Sequence, residues 1–237
     1  MATADMAFAR RFTARLPFGT CVGVALPPSA PPEAEWPAAL HPEERAFARG
    51  LPDERRASWL GGRAALRAAL EAAALPASAP ILATAQGAPR LPPGSLGSIS
   101  HKTGLAVALA AAGAPAVTLG VDLELLRPLR ADLSGRILTD AERAALPPPG
   151  PARDAHLLRV FSAKEAIFKA LSPRVGRFIG FQEAEIRFPA DGALTARLQL
   201  AGGEGPFALE LCELPDDAGS GRIVVAARAT LLAAQSG

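Results

Sequence analysis

Two short segments carry the side chains best suited to chemistry. Gly120-Val121-Asp122-Leu123-Glu124 closes an apolar run, and Phe161-Ser162-Ala163-Lys164-Glu165-Ala166-Ile167-Phe168-Lys169 follows a helical pattern. Brought together they offer three carboxylates and a lysine. Carboxylates packed together repel: two unit charges ~4 Å apart cost about 4 kcal/mol at an effective dielectric near 20. A hard divalent cation removes that cost, and Mg²⁺ favours a few carboxylates completed by waters and substrate phosphates. The residue types therefore point to a metal site that handles a phosphate ester.

The elements that must position these groups can be read from periodicity. Over 116–124 the two-residue period of a strand puts Val117, Leu119 and Val121 on one side. Thr118, Gly120, Asp122 and Glu124 take the other, so the two carboxylates project from one face, ~7 Å apart. A strand end whose polar face meets water would carry the same pair. In the second segment, at about 100° per residue, Phe161, Glu165, Phe168 and Ser172 share a stripe bordered by Leu158. A carboxylate buried on an apolar stripe needs a cation or a metal. The competing reading is a surface pair between Glu165 and Lys169, which explains the lysine better than the glutamate.

An earlier helical stretch shows a parallel feature. Trp59, Arg63, Leu66 and Leu70 fall on one stripe, with Arg55 and Arg56 one to two turns before. An arginine there either snorkels or reaches an anion. Gly97-Ser98-Ile99-Ser100-His101-Lys102-Thr103-Gly104 offers hydroxyls, an imidazole, an ammonium and turn amides, all groups that bind phosphate. It matches no P-loop and no G-x-G-x-x-G pattern. His41 and His156 read as structural or surface residues.

Composition bounds the remaining possibilities. The 237 residues are 49% hydrophobic and 20% charged, enough for a sizeable core and unlike a disordered chain. A net charge of +2 gives no reason to expect bulk nucleic-acid binding. Cys21 and Cys212 have no metal or redox spacing, which fits a reduced, cytoplasmic setting. Met1–Met6 lacks a leader pattern, and no run of about eighteen apolar residues predicts a membrane helix. Strands are predicted at 16–26, 81–84, 97–112 (broken by a turn at His101–Gly104), 116–124, 182–188, 194–200, 206–213 and 222–229. Helices are predicted at 41–48, 53–74 (capped by Asp53), 139–146 and 155–171, with a mobile loop at Pro147–Pro151. Gly113-Ala114-Pro115 is a natural joint. Halves 1–114 and 115–237 each hold one long helix and several short strands, which hints at a duplicated α+β unit.

Taken in order, these segments resemble a phosphopantetheinyl transferase of the surfactin-synthetase or enterobactin-synthetase type. The likeness covers roughly residues 40–175. Arg55 to Leu70 is similar to the family's first helix motif, and Gly87-Ala88-Pro89-Arg90 through His101 resembles its middle motif. Gly120–Glu124 and Phe161–Ala170 match its two hallmark motifs. Pro92 stands where the family often has tryptophan.

The resemblance implies a fold of two similar α/β-sandwich subdomains related by a pseudo-twofold, with a cofactor cleft between them. It implies transfer of the phosphopantetheine arm of coenzyme A to a serine of an acyl or peptidyl carrier protein, releasing adenosine 3',5'-bisphosphate. Asp122, Glu124 and Glu165 would hold Mg²⁺ (or Mn²⁺). Lys169 would contact phosphates and could protonate the leaving group, and Glu165 or a water it holds would be the base. Ser100 and His101 would bind coenzyme A phosphates, Arg55 and Arg63 its 3'-phosphate side, and Gly87 and Arg90 would lie near the adenine. The longer two-part layout fits a monomer. Carriers of fatty-acid, polyketide, peptide-synthetase and siderophore pathways all remain compatible. A coenzyme A-binding protein without turnover is the runner-up.

Overall fold

The computed structural model describes residues 7–85, 87–189, 194–216 and 219–233. The Met1–Met6 stretch read for a leader lies outside them. The chain divides into two units, Met1–Ala114 and Pro115–Gly237.

In the first unit β1 (Arg10–Leu16) and β2 (Gly19–Ala25) form a hairpin, α1 (Pro42–Arg49) and α2 (Asp53–Ala72) follow, and β3 (Ser95–Lys102) and β4 (Leu105–Ala112) form a second hairpin. The strands make one antiparallel sheet ordered β1-β2-β4-β3. Ala65, Leu66, Ala69 and Leu70 of α2 pack on Val22, Val24, Ala106, Ala108 and Ala110. Small side chains on both surfaces let helix and sheet approach closely.

Several local expectations change here. The strand expected at 16–26 is β2, and β1 before it was not expected, because RRFTARL is exposed on alternate residues and lacks the apolar run that marks β2. Asp53 does not cap α2; Pro52 occupies the cap without a side-chain bond. The Ile81–Thr84 strand shrinks to one bridge, Ala83 to Pro89. His101 lies within β3, and the turn is Thr103-Gly104, with Gly104 at φ 81°.

The second unit runs β5 (Val117–Leu125), α3 (Ser134–Ile137), α4 (Asp140–Ala144), α5 (Pro151–Val175), β6 (Ala184–Arg187), β7 (Thr195–Leu198), β8 (Phe207–Leu214) and β9 (Arg222–Leu231). Its main sheet is antiparallel, ordered β5-β9-β8, and β6 pairs with β7. Pro151, expected in a mobile loop, opens α5, where its missing N–H and fixed φ cost nothing. Gly176 at φ 68° ends the helix. No helix among the described residues is long and apolar enough to cross a membrane.

Both units are α+β, and they repeat one plan. A long helix preceded by short helical turns follows both β2 (α1, then α2) and β5 (α3 and α4, then α5). The sheet orders β2-β4-β3 and β5-β9-β8 have the same connectivity. A buried polar device also recurs. Glu44, at the third position of α1, accepts from His41 N at 2.9 Å and Ile81 N at 2.6 Å. Arg67 of α2 donates to its carboxylate at 2.8 Å and to Ala77 and Ala79 carbonyls. Glu142 of α4 accepts from Thr139 N at 2.7 Å and Ile186 N at 2.6 Å. Lys164 of α5 donates to Glu142 at 2.7 Å and to Ile137 and Phe181 carbonyls at 2.8 Å each. In each unit a capping glutamate neutralises a buried cation of the long helix and pins the chain beyond it.

Candidate active site

Gly120 governs the second unit. A Cβ there would run into the Ala166 carbonyl oxygen and the Ala170 amide. Only glycine lets the backbone of α5 settle on β5 at this depth. Asp122 and Glu124 share the Gly120 face by strand alternation. Each is 4% exposed, so the strand end does not turn its carboxylates to water.

Asp122 is held across this contact. Its Oδ2 accepts from Ser162 Oγ at 3.0 Å and its Oδ1 from Lys169 Nζ at 2.7 Å. Lys169 Nζ also donates to the Val121 carbonyl at 3.0 Å. Ser162, Glu165 and Lys169 fall at i, i+3 and i+7, one ridge of the helix. Glu165 therefore lies between Ser162 and Lys169, both of which bond Asp122.

Glu165 is half-buried, and the expected stripe needs correction. The face of α5 buried deepest comprises Val160, Ala163, Ala166, Ile167, Ala170 and Leu171, and its buried charge is Lys164, at 0% exposure. Phe161 and Phe168 stand at the margin, each 5.6 Å from the Phe181 ring. Bulk misled the phase: a helix pressed on a sheet makes its closest contacts through alanines.

The three carboxylates suit a hard cation in donor type, since all their ligand atoms are oxygens. Among the described residues, however, no group of three or more acidic, histidine or cysteine side chains is gathered tightly enough to hold a metal ion. A cation is already at Asp122 in the form of Lys169, which fits the need of a buried carboxylate for positive charge.

In the first unit Arg63 is 8% exposed. Its Nε donates to the Ile81 carbonyl at 3.0 Å and its guanidinium lies 4.5 Å from the Trp59 ring centre. Burial lowers its pKa to about 10, partly offset by the charge of Glu44, so it stays cationic at neutral pH. Arg55 is exposed. Arg56 is structural: it donates to the Ala48 and Leu51 carbonyls and to Asp53.

Glycine contacts set the register of β3 on α2. Gly97 meets Leu66, and Gly62 meets Ile99, so the two elements run antiparallel. Continuing that register brings His101 level with the first turns of α2, where Arg55 lies. Ser100, 7% exposed, points to the opposite sheet face. Gly87, at φ 85°, closes a turn with its N–H on the Thr84 carbonyl at 3.0 Å, and exposed Arg90 follows. The Ile81 carbonyl held by Arg63 opens this same segment.

Three supporting residues escaped the sequence reading: Ser162, Lys164 and Glu142. The last was legible, since Thr139-Asp140-Ala141-Glu142 has the spacing of a capping box, as does His41-Pro42-Glu43-Glu44 with a histidine cap. Nothing in the sequence marks the partner of Ser162, forty positions away.

Comparison with known proteins bears on the same segments. Residues 118–227 match the family described as the 4'-phosphopantetheinyl transferase superfamily, and residues 43–111 match the 4'-phosphopantetheinyl transferase N-terminal domain. The chain is 39% identical over 167 residues to 4'-phosphopantetheinyl transferase Svp of Streptomyces mobaraensis, spanning 69% of this chain and 67% of that one. It is 34% identical over 151 residues to PptT of Mycobacterium tuberculosis (63% and 66%) and 33% over 181 residues to Npt of Nocardia iowensis (75% and 78%), both named as 4'-phosphopantetheinyl transferases.

Proposed function

Because the chain belongs to the 4'-phosphopantetheinyl transferase superfamily, we propose that it moves the phosphopantetheine arm of coenzyme A to a serine of an acyl or peptidyl carrier protein. The serine oxygen bonds to the β-phosphorus. The bond from that phosphorus to the bridging oxygen breaks, the serine proton passes to a base, and adenosine 3',5'-bisphosphate leaves with the electron pair.

The observation that carries this reading is the buried Asp122 carboxylate, bonded by both Ser162 and Lys169 with Glu165 on the ridge between them. An anion, a cation and a second carboxylate are thus fixed in a largely dry site before substrate arrives, which is the arrangement that stabilises moving charge. Asp122, Glu124 and Glu165 are the proposed ligands of Mg²⁺, with Mn²⁺ as its substitute. Bound there, the ion would neutralise charge on the leaving phosphate. Lys169 holds positive charge beside the phosphates and gives a proton to the leaving group. Glu165, half-buried, takes the serine proton directly or through a water.

In the first unit, Arg55 and Arg63 are assigned to the 3'-phosphate, Ser100 and His101 to the other phosphates, and Gly87 and Arg90 to the adenine. Burial supports Arg63 in this role, since a charge already out of water binds an anion more strongly. The two-unit layout supports the surfactin-synthetase or enterobactin-synthetase type acting as a monomer.

Intact mass spectrometry of an apo carrier protein incubated with this protein, coenzyme A and Mg²⁺ tests the reading. A gain of about 340 Da on one serine, lost with a chelator, is expected. No gain with several carriers, while coenzyme A stays bound, would make the protein a non-catalytic coenzyme A binder.

A further inference from the structure

We propose that Trp59 is a positioning residue for Arg63, holding its guanidinium where the end of the fork can meet a phosphate. The inference rests on the assignment of Arg63 to the 3'-phosphate of coenzyme A. Trp59 and Arg63 are one helical turn apart on α2. The guanidinium carbon lies over the Trp59 ring, 4.5 Å from its centre. Trp59 is itself stacked on Phe47 of α1, with ring centres 5.1 Å apart and planes inclined by 28°. The place of the guanidinium is thereby set by two helices rather than by its own flexible stem.

A second constraint is the bond from Arg63 Nε to the Ile81 carbonyl at 3.0 Å. That peptide segment is fixed in turn, since Ile81 N donates to Glu44 at 2.6 Å and Arg67 donates to the same carboxylate at 2.8 Å. The ring sets where the guanidinium sits, and the carbonyl sets how it is turned. They differ in what they consume. A carbonyl takes up a donor, whereas an aromatic face attracts the cation and takes up none. Among the described residues Nη1 and Nη2 bond no protein acceptor, and neither is a fully buried donor lacking a partner, so the end of the fork opens to solvent. Those paired N–H groups are the edge that meets a phosphate in bidentate fashion. A side chain held in advance avoids the ordering cost otherwise taken from ligand affinity, about 2- to 12-fold for a rotamer-rich residue.

The experiment is isothermal titration calorimetry of the full chain with coenzyme A and with 3'-dephospho-coenzyme A, at one ionic strength. Wild type, W59F and W59M are compared, with thermal melts to establish folding. W59M should bind coenzyme A about 2- to 12-fold more weakly and should bind the dephospho form as wild type does. W59F, which keeps a ring face, should retain most of the preference for coenzyme A. An unchanged preference in folded W59M, whether both affinities hold or both fall by one factor, overturns the role of Trp59 and leaves the assignment of Arg63 standing. Should W59M not fold, W59L is read by the same ratio. Equal binding of the two ligands by wild type removes the 3'-phosphate assignment and this inference with it, whereas transfer itself is tested separately by the mass gain of the carrier.

Discussion

Lys164 Nζ lies 2.7 Å from the Glu142 carboxylate, with the two side chains 0% and 2% exposed. Lys164 directly precedes Glu165, so whatever fixes its side chain fixes the rotation of α5 at the site. Its three partners come from α4, from the end of α3 and from the segment before β6. Removing one member of a buried, fully bonded pair leaves the other charge stranded. Lys164→Met should therefore cost about 3–5 kcal/mol of folding stability. Urea unfolding measures it, and a cost under about 1 kcal/mol, the worth of an exposed pair, would deny the pair its structural role.

Gly120→Ala should be damaging although it adds one methyl group. The new Cβ meets backbone atoms of Ala166 and Ala170, which cannot rotate away. Helix and strand must part, at about 1–3 kcal/mol. The bonds from Ser162 and Lys169 to Asp122 then lengthen, so transfer should fall further than stability alone explains. Comparing thermal midpoint with turnover below the midpoint separates the two effects.

Glu165→Ala should abolish transfer while leaving the fold intact, because the side chain is only half-buried. A positioned base typically supplies at least about a hundredfold in rate. Near-wild-type transfer by a folded Glu165→Ala would remove this residue from the mechanism.

Arg63→Ala should chiefly raise the KM for coenzyme A. Hydrogen bonds to a charged group are worth roughly 1.5–3 kcal/mol, which corresponds to about ten- to a hundredfold in KM. Coenzyme A lacking the 3'-phosphate should be used poorly by wild type and should lose little more with the variant. Equal use of both cofactors by both proteins would show that Arg63 serves another group.

Acid should loosen the end of α5 through Glu183. Hydrogen bonds from Arg177 first, then backbone amides of Ala201 and Gly180, hold its pKa at about 2 against an ordinary 4.5. A folded pKa below the unfolded one means stability that is fully present above 4.5 and lost as the pH falls toward 2. The stability difference between wild type and Glu183→Gln, followed by urea unfolding, should hold from pH 7 to 5 and shrink below about 4.5. A difference that stays constant down to the lowest pH at which the protein folds would contradict this.

The sequence by itself determined the chemistry-bearing segments and most elements around them. Strand alternation put Asp122 and Glu124 on one face, and that face is the one α5 covers. Periodicity located both long helices, and the stripe through Arg63, Leu66 and Leu70 is buried. Local pattern suffices there because those properties depend on residues a few positions apart. It failed where a distant surface decides. The phase of α5 follows from how closely alanines can approach β5, not from where the largest side chains fall, so Lys164 rather than Glu165 is the buried charge. The halves share little residue-level pattern, yet Glu44 with Arg67 and Glu142 with Lys164 make the same buried joint. Such a joint needs a carboxylate, a cation and a backbone N–H to coincide in space, and several pairs of residues can meet that need. Tertiary structure alone decided which side chains grip Asp122, because a hydrogen bond between a strand and a helix forty positions on leaves no trace in local periodicity.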